Sequence, residues 1–362
     1  MMNITFLIGS LGGGGAERVV CNLANYLSKN HNVTIVTMVE VKETYKISDK
    51  VKHHILLHLN ERKNVIYNSY IKYKEMKKYI KEHKEDLYLV MLPWAILLLL
   101  HFRNIIKCPI IVSERNDPQS YPKYKQFLLK LRVPLAEGVV FQTKDAEKWY
   151  KNFVKNNKTA IIPNAINEDF IGKKYEGERQ KVIVGAGRMK AQKNFELLIR
   201  SFANIANDFP EYNLKIFGQG NLLDEHQKLA ESLGIVDRVE FPGYVTNIGE
   251  QIKDASLFVL SSNYEGMPNA LMEAMALGLT CVSTNCPCGG PEFLINDGEN
   301  GLLVNVNDEK MMTDAIKKVL SNEEMAKKLG ENASKICKTL APEKIYGQWE
   351  DFILSVINGG NA

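Results

Sequence analysis

The feature that most constrains this 362-residue chain is an alternation of short β-rich runs with helical stretches that begins, breaks off and begins again. In the first half, residues 4–8 read as a strand, 12–15 as a glycine turn, 16–28 as a helix and 33–38 as the next strand. Residues 87–91, 110–113, 138–142 and 161–163 continue the series. The second half restarts with strands at 182–186, 214–217, 238–241, 257–260, 280–283 and 301–304, and helices such as 194–207 and 267–277 lie between them. A helix crossing over between neighbouring strands makes those strands parallel, so each series predicts a doubly wound α/β sheet. The polar stretch 167–181, with Gly172, Gly177 and no apolar period, reads as the linker between two Rossmann-like domains. A last helical pattern, 342–357, carries Tyr346, Trp349 and Phe352 and fits either lobe.

Ordinary fractions of hydrophobic (45%) and charged (24%) residues exclude disordered and fibrous classes. The longest apolar run, 87–100, contains Pro93 and falls short of the roughly 20 residues a membrane span needs. No basic segment precedes the apolar start, so no signal peptide is expected and the chain reads as cytoplasmic. The six cysteines, including the Cys286-x-Cys288 pair, form neither a disulfide framework nor a zinc pattern and read as reduced thiols.

Net charge is +4, but it is unevenly distributed. Residues 1–170 hold 26 Lys and Arg against 16 Asp and Glu, a balance of +10; residues 171–362 hold 20 against 26, a balance of −6. The excess concentrates in 63–84 and 123–158, interleaved with aromatic residues, and 71–80 reads as a basic amphipathic helix. Such a face is either simply solvated or drawn to anionic headgroups. No nucleic-acid motif accompanies it.

Two glycine-rich turns follow the first strand of each series. Gly12-Gly13-Gly14-Gly15-Ala16-Glu17 puts a carboxylate where a dinucleotide fingerprint needs its third glycine, and Gly185-Ala186-Gly187-Arg188 fails the same test, so NAD binding is not expected. What remains is a tight strand–helix turn, or a close approach of backbone to a ligand at the carboxyl rim of the sheet. Arg188 and Lys193 share the second of these loops and are suited to a diphosphate, unless both are ordinary surface cations.

The most informative stretch is residues 261–278. Pro268 fits the first turn of a helix and Gly278 its stop, which aims the N–H groups of Gly266, Met267, Asn269 and Ala270 toward a phosphate. Glu265 stands before the helix. Glu273 lies inside it among Leu271, Met272, Ala274 and Met275, an apolar setting that predicts burial.

Glu265 and Glu273 form an E-x7-E motif in a setting that resembles retaining glycosyltransferases of the GT-B fold, family 4. The likeness runs through nearly the whole chain. It takes in Gly14-Gly15-Ala16-Glu17, Ile162-Pro163-Asn164, Gly187-Arg188 with Lys193, Phe217-Gly218-Gln219-Gly220, Gly243, Gly290-Pro291-Glu292 and Asp297-Gly298-Glu299-Asn300-Gly301.

The resemblance implies a GT-B fold, two Rossmann-like domains facing each other across a cleft. The N-terminal, acceptor-binding domain would be 1–166 plus a C-terminal crossover helix in 342–362; the nucleotide-sugar domain would be 167–341. It implies that Arg188 and Lys193 bind the diphosphate, that Glu273 accepts from ribose hydroxyls, and that Glu265 bonds the donor sugar. Gly187, Gly218, Gly243, Gly266, Met267, Pro268, Asn269 and Ala270 would line the donor, with Gly14 and Gly15 approaching its phosphates. Many relatives carry a His near the sugar in the loop after the strand 110–113. This chain has Arg115 and Asn116 there, which are the candidates to replace it, while Gln142 and Thr143 are acceptor-side candidates or structural caps.

The implied activity is transfer of a hexose or N-acetylhexosamine from a UDP-sugar, with retention, to a membrane-associated glycan or glycolipid. Neither a cofactor nor a divalent metal is expected, and no D-x-D segment is present. A double-displacement route would need a carboxylate nucleophile, for which Glu265 is the candidate. Peripheral contact with the anionic inner face of the cell membrane through the basic half is expected, and nucleic acid is not. The competing readings are a nucleotide-sugar 2-epimerase of the same fold and a catalytically silent nucleotide-binding scaffold.

Overall fold

The structure, a computed structural model, describes residues 1–42 and 45–359. The chain divides into two compact units: Met1–Asn164 together with the chain from Glu343 onward, and Ala165–Pro342.

The first unit is built on seven strands: β1 (Asn3–Ile8), β2 (Asn32–Thr37), β3 (Val51–Ile55), β4 (Leu87–Met91), β5 (Ile110–Ser113), β6 (Gly138–Phe141) and β7 (Lys158–Ile161). They lie in the order β3-β2-β1-β4-β5-β6-β7, every neighbouring pair parallel. The second unit has β8 (Gln180–Ala186), β9 (Asn213–Phe217), β10 (Val239–Gly243), β11 (Ala255–Leu260), β12 (Thr280–Thr284) and β13 (Leu302–Val304), in the order β10-β9-β8-β11-β12-β13, again all parallel. Central strands are buried on both faces, which is why they read as unbroken apolar runs such as Leu-Tyr-Leu-Val-Met in β4. The second unit's core joins Ile183, Leu214, Leu257 and Val282 of the sheet to Leu198 and Phe202 of the helix Phe195–Ala203 and Ile316 of the helix Glu309–Leu320.

Departures from the sequence reading sit at edges and ends. β3 was not expected and β7 lies upstream of the strand expected at 161–163. Both are edge strands, half solvated (Val-Lys-His-His-Ile and Lys-Thr-Ala-Ile), so neither carries the apolar run that marks an interior strand. The expected linker 167–181 is partly structured: Glu168–Phe170 forms a 3-10 turn with Phe170 buried, and β8 begins at Gln180. The helix expected from 267 begins at Asn269, because Pro268 takes the N-cap position with extended backbone angles.

The terminal helix, Pro342–Gly359, packs in the first unit. Gly138 of β6 makes room for it: a Cβ there would fall 2.9 Å from Val356 and 3.1 Å from Phe352. Trp349 and Ile353 are fully buried, and the Tyr346 ring sits 5.0 Å from Tyr26 of the helix Gly15–Leu27.

Candidate active site

In the second unit the chain leaves β8 toward β9 on one side, while β11 lies on the other. The carboxyl ends of β8 and β11 therefore flank the topological switch point, where an open α/β sheet forms its ligand crevice. Both strands are followed by the loops singled out in the sequence, 187–194 and 261–268.

These loops are bonded to each other along their length. Asn263 N–H donates to the Gln192 carbonyl (2.8 Å) and its side-chain amide to the Ala191 carbonyl (2.8 Å). Ser261 Oγ donates to the Lys193 carbonyl (2.9 Å), and Asn194 Nδ2 donates to Asn263 Oδ1 (3.1 Å). The staple brings Lys193 Nζ to 2.5 Å from Glu265 Oε1, both side chains largely buried. Ser262 Oγ donates to that same oxygen at 2.7 Å, while Glu265 Oε2 receives a 3.5 Å contact from Gln192 Nε2. The Glu265 backbone is tied on both sides, its N–H to the Pro287 carbonyl (2.6 Å) and its carbonyl to the Cys288 N–H (2.7 Å). Burial foremost, then the Glu265 charge, pushes the pKa of the nearby Cys286 thiol up to about 12, which disfavours its thiolate.

Close approaches explain several of the glycines. The Lys193 stem lies over Gly187, where a Cβ would fall 2.8 Å from Cε. Gly218, with φ +131, would put a Cβ 1.9 Å from the Gly187 carbonyl oxygen, and its N–H donates to the Gly243 carbonyl at 2.8 Å. Gly290 would put one 1.8 Å from the Gly266 carbonyl oxygen. The loops after β8 and β12 thus press against the 265–268 segment, and Gly218 backs the β8 loop at Gly187. Gly266, Met267 and Pro268 are buried, Asn269 and Ala270 are half-buried, and Glu273 is buried inside the helix Asn269–Ala276. That helix ends where expected, with Gly278 at φ +74. Arg188 is exposed in the same loop as Lys193.

In the first unit, Gly14 is the N-cap of the helix Gly15–Leu27, and the Glu17 carboxylate folds back over it, 2.1 Å from where a Cβ would be. A phosphate nearing Gly14 and Gly15 therefore meets that carboxylate as well. At the carboxyl end of β5, Glu114 is buried and accepts from Tyr121 Oη (2.8 Å), Tyr150 Oη (2.9 Å), Arg115 N–H (3.0 Å) and Asn116 N–H (3.3 Å). Burial raises its pKa despite these bonds. Arg115 is buried too, donating to Ser113 Oγ and to Asn164 Oδ1, which also accepts from Gln142 Nε2; burial lowers its pKa to about 9. The buried Arg115 Nε has no partner among the described residues, and Asn116 beside it is half-buried. Thr143 accepts from Ala146 N–H and caps the helix Lys144–Tyr150. Among the described residues no three His, Cys, Asp or Glu side chains gather in a way that could hold a metal ion.

Residues 13–170 match the model of Glycosyltransferase Family 4, and residues 167–336 that of Glycosyl transferases group 1. A Campylobacter jejuni protein described as an N-acetylgalactosamine-N,N'-diacetylbacillosaminyl-diphospho-undecaprenol 4-alpha-N-acetylgalactosaminyltransferase is 30% identical, over 95% of this chain and 97% of its own. The chain belongs to the family 4 and group 1 glycosyltransferases. A second C. jejuni enzyme, an alpha-1,4-N-acetyl-D-galactosaminyltransferase acting on an undecaprenyl-diphosphate glycan, is 29% identical over 99% of this glycosyltransferase and 100% of its own length. Sucrose-phosphate synthase from Thermosynechococcus elongatus superposes with a TM-score of 0.86 at 18% identity, covering 99% of this chain and all of that one. Anabaena HepE, solved with UDP and glucose, superposes at 0.81 and 17% identity, covering 98% and 100%. These neighbours establish the GT-B fold.

Sequence reasoning about this glycosyltransferase missed Ser262, Gln192 and Asn263, the residues that hold Glu265 and Lys193 together. Single polar residues in a loop carry no periodic signal. It also missed Glu114, visible only as a carboxylate following an apolar strand, and Leu92, which leaves β4 at φ +74 beside the first sheet's own switch point.

Proposed function

We propose that this glycosyltransferase moves an N-acetylhexosamine or hexose from a UDP-sugar, with retention of configuration, to a polyprenyl-diphosphate-linked glycan or related glycolipid. The observation that carries the reading is the Lys193–Glu265–Ser262 cluster at the switch point, with Arg188 in the same loop. The acceptor class rests on the two C. jejuni relatives, whose descriptions name undecaprenyl-diphosphate glycans.

In this mechanism Lys193 and Arg188 hold the diphosphate and offset the charge that grows on it as the C1–O bond breaks. Glu265 accepts from a donor-sugar hydroxyl through the oxygen that Lys193 and Ser262 leave less occupied, and Glu273 accepts from the ribose. The acceptor hydroxyl attacks C1 from the leaving-group side. Its proton passes to the departing phosphate oxygen, giving a nucleoside diphosphate and the new glycoside. The protein groups supply the charge compensation, so the proposal includes no metal. The basic first unit faces the anionic inner surface of the cell membrane, where the acceptor resides; no described helix is long and apolar enough to cross that membrane.

The test is incubation of the full chain with UDP-N-acetylgalactosamine, UDP-N-acetylglucosamine or UDP-glucose and a short polyprenyl-diphosphate glycan, with and without EDTA. Transfer of an α-configured sugar, unaffected by EDTA, is expected. A β-configured product would overturn retention, loss with EDTA would overturn metal independence, and no transfer with any donor would overturn the reading.

A further inference from the structure

The helix Lys123–Arg132 (Lys-Tyr-Lys-Gln-Phe-Leu-Leu-Lys-Leu-Arg) turns an unusual face to solvent. At about 100° per residue, Tyr124, Phe127 and Leu131 fall in one narrow stripe. Each is more than half exposed (57%, 60% and 55%). Gln126 and Leu129, on the opposite side, are buried and dock the helix onto the unit. Lys123 and Lys130 flank the stripe on one side; Lys125 and Arg132 flank it on the other. Lys125 reaches across to the neighbouring helix Pro93–His101, its Nζ 4.7 Å from the ring centre of Trp94, itself 52% exposed.

An apolar stripe edged by cations on both margins is poorly suited to water and matches a boundary between headgroups and acyl chains. A second copy of the chain offers a worse fit, because identical faces would bring their flanking cations together. The expected basic helix at 71–80 lies within Val65–Glu82, on whose surface Val65, Ile66 and Tyr70 are also exposed.

We propose that the helix Lys123–Arg132 is a lipid-docking element: Tyr124, Phe127 and Leu131 enter the acyl boundary of an anionic membrane while the flanking cations bind lipid phosphates. This deepens the membrane-facing reading above and rests on it. Two contributions follow. The cationic one fades with salt, whereas the apolar one persists.

The experiment is sedimentation of the full chain with phosphatidylglycerol–phosphatidylcholine vesicles and with phosphatidylcholine vesicles, at low and high salt. It compares the wild type with Phe127→Ser/Leu131→Ser and with Lys123→Ser/Lys130→Ser. The apolar variant is expected to lose about tenfold or more of its partitioning at both salt concentrations, while keeping its melting temperature and its transfer to a short water-soluble acceptor. The cationic variant is expected to lose binding chiefly at low salt. Salt-sensitive wild-type binding that the apolar variant matches would overturn this proposal and leave the electrostatic reading standing. No vesicle binding by the wild type would overturn both, with the donor chemistry untouched. Concentration-dependent self-association abolished by the apolar variant would make the stripe an interface between copies, and would also overturn the proposal.

Discussion

Lys193 Nζ lies 2.5 Å from Glu265 Oε1, so the cation assigned to the diphosphate and the carboxylate assigned to the sugar are already partners before any donor arrives. A diphosphate has to share Lys193 with Glu265, and the carboxylate's charge opposes its binding. Glu265→Gln is therefore expected to act in opposite directions on two measurements. Turnover should fall by about 10²–10³-fold through loss of the sugar contact and of Lys193 alignment. UDP affinity should rise several-fold, because Lys193 is released. Steady-state kinetics and calorimetric titration of UDP check this pair of outcomes; parallel losses in both would contradict it.

Ser262 touches no substrate in this account and acts through Glu265. Removing its hydroxyl leaves Oε1 to Lys193 alone, a loss of roughly 1–2 kcal/mol, since the acceptor is charged. Ser262→Ala should lower kcat about tenfold with KM for the acceptor unchanged, and Ser262→Thr should restore most of the loss. A purely structural role would instead lower the melting temperature and leave kcat of the folded fraction intact.

Gly290→Ala tests the packing beneath the donor loop. A Cβ 1.8 Å from the Gly266 carbonyl oxygen meets backbone, which cannot swing aside like a flexible side chain. The substitution should cost roughly 2–4 kcal/mol in urea unfolding and weaken UDP binding. Gly298→Ala, which meets nothing within 4 Å but sits at φ +76, should cost only the local strain, about 1 kcal/mol, and leave UDP binding alone.

The buried Glu114 sets a pH dependence in the first unit. Its folded pKa is raised above the ordinary 4.5, so over the interval above 4.5 the folded state holds a proton that the unfolded chain has released. That contribution to stability is fully present below 4.5 and is lost as pH rises through the folded value. Relative to Glu114→Gln, the wild type should lose stability as pH is raised from 4 toward neutrality. Urea midpoints measured across that range check it, and a difference independent of pH would contradict it.

The interior strands, their parallel arrangement and the position of the loops after β8 and β11 were largely legible in the sequence, because buried parallel strands are contiguous apolar runs and loops at their carboxyl ends carry glycine, proline and charge. The edge strands β3 and β7 were not, since an edge needs only one partner and tolerates Lys, His and Thr. The pairing of Lys193 with Glu265 was also hidden. It depends on Asn263 and Ser261 bonding to the carbonyls of residues 191–193, a tertiary match between segments about seventy residues apart that no local pattern announces. The surroundings of Arg115, a candidate named from the resemblance, were hidden as well: its guanidinium donates to Ser113 and Asn164, while its buried Nε has no partner among the described residues.

The central claim is that Arg188 and Lys193 capture the diphosphate of the donor. Calorimetric titration of UDP and of uridine into the wild type and into Arg188→Ala/Lys193→Ala tests it most directly. Two charge-assisted contacts predict that the wild type binds UDP about 10²–10³-fold tighter than uridine, and that the double variant loses most of that margin while its affinity for uridine is unchanged. A double variant that keeps the full preference for UDP would contradict the account.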